Sequence, residues 1–242
     1  MKEFFGSKAK QGKRLLGLAG IGMVALSLSA CAGKPAPLSA SSSFRDAPSF
    51  VAAQPEASMA AADAQEMQSL IDEATRVVLS DAFARNLASI DEPIALHPFG
   101  PRVSSSTVLT LLLGRDPAYA YVPTQIRWTS SGGNSNNGVV GGSMINLTTQ
   151  VRSNWRSDDP RTRSLAINSM AHELSHSLSH EPNLLKYVFT DKFFSWHRLH
   201  RSEAIASYTI GTVAQCTWLA ERETDLILEE CYRRYGLRNF TP

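Results

Sequence analysis

The chain of 242 residues has only three cysteines, and charged side chains make up 19% of it. So few cysteines exclude a disulfide-dense mini-protein. Fifteen glycines and twelve prolines without a period exclude a collagen-like chain, and 43% hydrophobic residues exclude a wholly disordered one. No internal repeat or sustained heptad is visible. Charge of one sign is equally scarce. The formal net charge is +2, and its basic excess lies in the first thirty residues, where Lys2, Lys8, Lys10, Lys13 and Arg14 face Glu3 alone. The remainder is slightly acidic, so no nucleic-acid partner is expected. The apolar run from Leu15 to Ala30 has 16 residues, fewer than the ~20 a spanning helix needs.

A basic head, a short apolar middle and a small-residue exit form the pattern of a secretory signal. The exit, Leu28-Ser29-Ala30-Cys31, resembles the lipobox of bacterial lipoproteins; the alternative is a signal-anchor with a chance cysteine. The resemblance implies cleavage before Cys31 and acylation of its sulfur and new amino terminus, a membrane attachment that needs no transmembrane helix. Ala32 after the cysteine implies sorting to the outer membrane, facing the periplasm. The expected division is a signal peptide over 1–30, a lipidated cysteine with a flexible Ala/Ser/Pro tether over 31–58, and a folded domain over 59–242.

Within that domain, Met67, Leu70, Ile71, Ala74, Val77 and Val78 recur at spacings of three and four, predicting one amphipathic helix from about Ala60 to Ser89. Val108–Leu113 is apolar but too short to tell helix from strand. Tyr119–Thr129 and Val139–Val151 are β-leaning, and the Gly/Asn/Ser-rich segment between them predicts a long hairpin with a mobile tip. Asp159 before Pro160 predicts a capped helix start, with Ile167, Met170, Ala171, Leu174 and Leu178 on its buried face and Glu181-Pro182 at its end. Further helices are expected over Leu184–Trp196, from near Ser202 through Cys216, and at Glu229–Arg234, closed by Gly236. The order is that of an α+β fold: a helix, a small sheet, then a helical half.

The Pro160 helix carries His172-Glu173-Leu174-Ser175-His176, an HExxH sequence. Residues four apart share a helix face, so two imidazoles can hold one Zn²⁺ at about 2.0–2.1 Å. Glu173, one step round, reaches a water on the metal as general base without being a ligand. The alternative is a set of surface polar residues on an ordinary helix.

This motif resembles the zincin metallopeptidases and, with Glu203-Ala204-Ile205-Ala206-Ser207, their gluzincin branch. The resemblance spans Leu165 to Tyr208 and implies a zincin-like fold, Zn²⁺ as cofactor, and a third ligand, Glu203, on a later helix. It departs at Ser207, where the family pattern has an Asp that orients a ligand histidine. His180 cannot share the ion with His172, because eight helical residues rise ~12 Å. Ser179 and Pro182 exclude the metzincin pattern, while Asp191, His197 and His200 stay open as third ligands. Gluzincins stabilise the oxyanion with a Tyr or His; Tyr208, His197 and His200 are candidates, and the plainer alternative for Tyr208 is a core aromatic. Zincins pair extended substrates with an edge strand, for which Gly142–Leu147 is the candidate; its alternative is an internal strand.

An oxidising compartment favours a Cys216–Cys231 disulfide. On one unbroken helix the two would lie ~22 Å apart, so pairing requires a break, with Glu223-Thr224-Asp225 the candidate. The expected function is a membrane-anchored zinc metallopeptidase acting on peptide or protein in the cell envelope, peptidoglycan stem peptides included. The alternative is an inactive zincin-like lipoprotein serving as a binding or assembly factor.

Overall fold

The computed structural model describes residues 53–97, 100–116, 118–130, 132–139, 142–179, 188–189 and 205–235. Cys31, the signal and most of the tether lie outside them. Seven helices and eight short strands occur among the described residues, a mixed α/β arrangement compatible with α+β. No described helix is long and apolar enough to cross a membrane.

The main sheet has four strands in the order β1 (Ala53–Pro55), β5 (Thr124–Thr129), β7 (Gly142–Thr148), β6 (Ser135–Val139). The first three are parallel, and β6 runs antiparallel to β7. Two expectations change here. The β-leaning segments do not form a hairpin with each other, because β5 and β7 are parallel neighbours. The Gly/Asn/Ser segment is itself an edge strand rather than a mobile tip: β6 pairs with β7 from Ser135↔Asn146 to Val139↔Gly142. Within Gly142–Leu147, residues Ser143–Asn146 are thereby paired on both sides, and the strand is not an edge. Small polar residues carry little strand propensity, but backbone pairing to one neighbour does not require it. The same holds for β1, which takes Ala53–Pro55 from the expected tether into the sheet.

The stripe Met67, Leu70, Ile71, Ala74, Val77 and Val78 is buried as its spacing predicts. The expected single helix is nevertheless two, α1 (Ala61–Val78) and α2 (Asp81–Ala88). Ser80 divides them; its hydroxyl accepts from Phe83 N–H at 3.1 Å and caps α2. Two-residue strands β2 (Ile94–Ala95) and β3 (Arg102–Val103) follow, then α3 (Ser105–Leu112), which resolves the Val108–Leu113 ambiguity as helix. Ser104 caps it through Thr107 N–H. Pro123 precedes β5, so Tyr119–Thr129 divides into β4 (Ala120–Tyr121) and β5, while Val139–Val151 ends in α4 (Thr149–Trp155).

Helix α5 (Pro160–Ser175) starts as predicted, with Pro160 at its first position and the Asp159 carboxylate accepting from Thr162 N–H at 2.8 Å. It stops earlier than predicted. His176 is its C-cap, and Leu178–Ser179 forms β8, antiparallel to β4. The Thr124, Ser143 and Ser177 hydroxyls explain the stop: Thr124 Oγ1 lies 2.8 Å from Ser143 Oγ and 3.0 Å from Ser177 Oγ, tying the chain just past the helix to β5 and β7. Of the expected Leu184–Trp196 helix only Val188 and Phe189 are described; they form a bend and are buried. Helix α6 (Ala206–Ala220) begins at Ala206 rather than Ser202, because Ile205 is extended and bridges Ala95. A break over 221–227 separates it from α7 (Leu228–Tyr235) and lets Cys216 and Cys231 form a disulfide with Cα atoms 5.8 Å apart. Gly236 lies outside the described residues.

Candidate metal centre

Ala166, Ile167, Met170, Ala171 and Leu174 pin α5 into the core, and this fixes what the rest of the helix presents. His172 and Glu173 are largely buried on its last turn, and His176 closes it. One ligand atom from each of the three lies within 4.8 Å of the others, a grouping that could hold a metal ion.

Two distances make the donor set specific. His176 Nδ1 is 2.7 Å from the Phe189 carbonyl oxygen, an acceptor only, so the nitrogen there carries the proton. That fixes the tautomer and leaves Nε2 with its lone pair outward, the arrangement found on metal-binding histidines. His176 Nε2 is 3.2 Å from His172 Nε2. With metal–nitrogen bonds of about 2.05 Å, that separation corresponds to an angle of ~100° at a shared ion, near the tetrahedral value zinc prefers. The separation of the two imidazoles is compatible with a shared small divalent cation.

Tyr208 stands on the first turn of α6 with its ring 4.6 Å from that of His172, centroid to centroid. It is 51% exposed, so it is not the core aromatic that its alternative reading supposed. Beside it Ser207 is fully buried, and its hydroxyl has no hydrogen-bond partner among the described residues. Glu203, His180, Asp191, His197 and His200 all lie outside the described residues.

Sequence reasoning missed the seam between α5 and α6. Asn168 Nδ2 donates to Gln215 Oε1 at 2.8 Å, and Gln215 Nε2 donates to Ser164 Oγ at 3.0 Å. Gly211 packs against Asn168 and His172. The available signal was spacing: Ser164, Asn168, His172 and His176 are four apart, as are Ser207, Gly211 and Gln215. Comparison with family models, curated proteins and solved structures finds no match to the chain.

Proposed function

We propose that the chain is a zincin-like, zinc-dependent metallopeptidase of gluzincin type, held in the bacterial cell envelope through acylated Cys31. The observation carrying this reading is the pair of imidazoles with Nε2 atoms 3.2 Å apart, one of them oriented through the Phe189 carbonyl. His172 and His176 are two zinc ligands and Glu203 is the third. Zinc bound there supplies Lewis acidity that brings a water's pKa towards ~7.

The chain's own groups do the rest. Glu173, buried next to both imidazoles, takes the proton of the attacking water and returns it to the leaving amine. The Tyr208 phenol, open to solvent beside His172, donates to the carbonyl oxygen as charge develops on it. The substrate is a peptide or protein of the envelope, peptidoglycan stem peptides included. Its extended backbone is proposed to pair with β6, an edge strand of the four-stranded sheet among the described residues.

The test is zinc content of the full-length protein, purified without a metal-chelating tag. One zinc per chain is expected, falling sharply in Glu203→Ala. Glu173→Gln should keep the zinc and lose about 10²–10⁴-fold in peptidase activity. A folded wild-type chain that takes up no zinc overturns the reading. Zinc without any activity that depends on Glu173 turns it into the binding or assembly alternative.

A further inference from the structure

We infer that Gly211 is a positioning residue of the metal centre: it lets α6 lie against α5 at His172 and so sets the spacing between that imidazole and the Tyr208 ring. The inference rests on the metal reading above.

The two rows with four-residue spacing meet in antiparallel order. Gln215 bonds Ser164 and Asn168, Gly211 touches Asn168 and His172, and Tyr208 faces His172. Moving along α5 towards the site thus means moving back along α6. Gln215 is fully buried and uses its amide oxygen and its nitrogen on two different α5 residues, so this bond pair admits only one register of α6 on α5.

At Gly211 the approach is closest. A Cβ added there would stand 2.8 Å from Asn168 Oδ1, 2.9 Å from the Asn168 carbonyl oxygen and 3.2 Å from His172 Cβ. The side-chain oxygen can swing aside, but the carbonyl belongs to the α5 backbone and cannot. An alanine therefore pushes the helices apart at this level. His172 Cβ is the pivot of the imidazole, and Tyr208 sits on the preceding turn of α6, so both move when the gap opens. Alanine is the better helix former, so nothing within α6 itself calls for glycine. The demand comes from the contact with α5.

The test compares full-length wild type, Gly211→Ala, Asn168→Ala and Val108→Ala. The last empties a fully buried position on α3 and controls for destabilisation alone. Co²⁺ titration followed by visible absorption reports affinity and ligand geometry together. Gly211→Ala should bind Co²⁺ at least ten-fold more weakly with an altered spectrum. Asn168→Ala, which keeps the glycine but cuts the bond to Gln215, should shift the same way by less. Val108→Ala, whatever its melting temperature, should bind as wild type does. In the metal-free chain, nuclear Overhauser contacts between the Tyr208 and His172 rings should be strong in wild type and weakened in Gly211→Ala; Asn168→Ala carries this comparison should Gly211→Ala not fold. Unchanged ring contacts and unchanged Co²⁺ affinity in the seam variants would reduce Gly211 to ordinary packing. A wild type that binds no Co²⁺ but shows the ring contacts, with their loss in the variants, fails the metal reading and leaves the positioning intact.

Discussion

The role proposed for Tyr208 can be tested at the scale of one residue by separating stability from chemistry. The residue is half-exposed, so Tyr208→Phe should leave unfolding free energy within about 0.5 kcal/mol of wild type. Removing a donor to a developing oxyanion costs about 10²–10³-fold in kcat. The expected outcome is thus a large fall in kcat with KM and the melting temperature nearly unchanged. A loss in stability of the same order as the loss in rate would return Tyr208 to a packing role. At this scale the sequence was legible wherever the chemistry is local. Asp159-Pro160 starts α5 because a carboxylate accepting from N–H groups and a fixed φ are both properties of adjacent residues. His172 and His176 face one another because of helical pitch alone. Tyr208 was ambiguous for the opposite reason: its exposure depends on where α6 begins, which Ile205 settles by bridging to Ala95, 110 positions earlier in the chain.

At the scale of elements, the misread pieces are those whose partner supplies what their own residues lack. β6 is built from Ser135, Asn136, Asn137, Gly138 and Val139, which signal a turn by composition; β7 alone makes them a strand. The apolar pattern of α5 continues through Leu178, yet the helix ends at Ser175 because the next residues are claimed by β4 and by the hydroxyl cluster. That cluster gives a direct test. Thr124 Oγ1 bonds Val122 O at 2.9 Å and meets the Ser143 and Ser177 hydroxyls, all buried, while those two serines are 3.4 Å from each other. Thr124→Val keeps the shape and removes the hydroxyl that both serines meet, a cost of about 1–3 kcal/mol. Urea unfolding should show this as a lowered midpoint with an unchanged m-value. A loss below ~0.5 kcal/mol would mean that the serines are satisfied without the Thr124 hydroxyl.

At the scale of the whole molecule, α1 is joined to α6 through Glu73, and this makes stability depend on acid. Arg76 donates to the Glu73 carboxylate from the same helix, and Trp218 Nε1 and Arg222 donate from α6 and the turn that follows it. The Arg76 hydrogen bonds hold the carboxyl down to about 2 from its ordinary 4.5; burial works against them, and Trp218 and the charges of Arg76 and Arg222 add to them. The neighbouring α1–α4 contact behaves alike. Burial raises Glu66, but hydrogen bonds from Arg156 and Arg152 outweigh it and leave the carboxyl lowered. Between pH 4.5 and 2 the unfolded chain takes up protons that the folded chain refuses, so unfolding gains there. The contribution of Glu73 is complete above about pH 4.5 and lost as pH falls through about 2. Urea midpoints should therefore hold down to pH 5 and then decline steadily to pH 2. Glu73→Gln should be less stable than wild type at pH 7 and approach it at pH 2, because protonation has by then removed from wild type what the substitution removed from the variant. A deficit of equal size at both pH values would assign the cost to the shape of the α1–α6 contact and not to its charge. That outcome would leave the lowered Glu66 carboxyl in the α1–α4 contact as the remaining ground for an acid limit to stability.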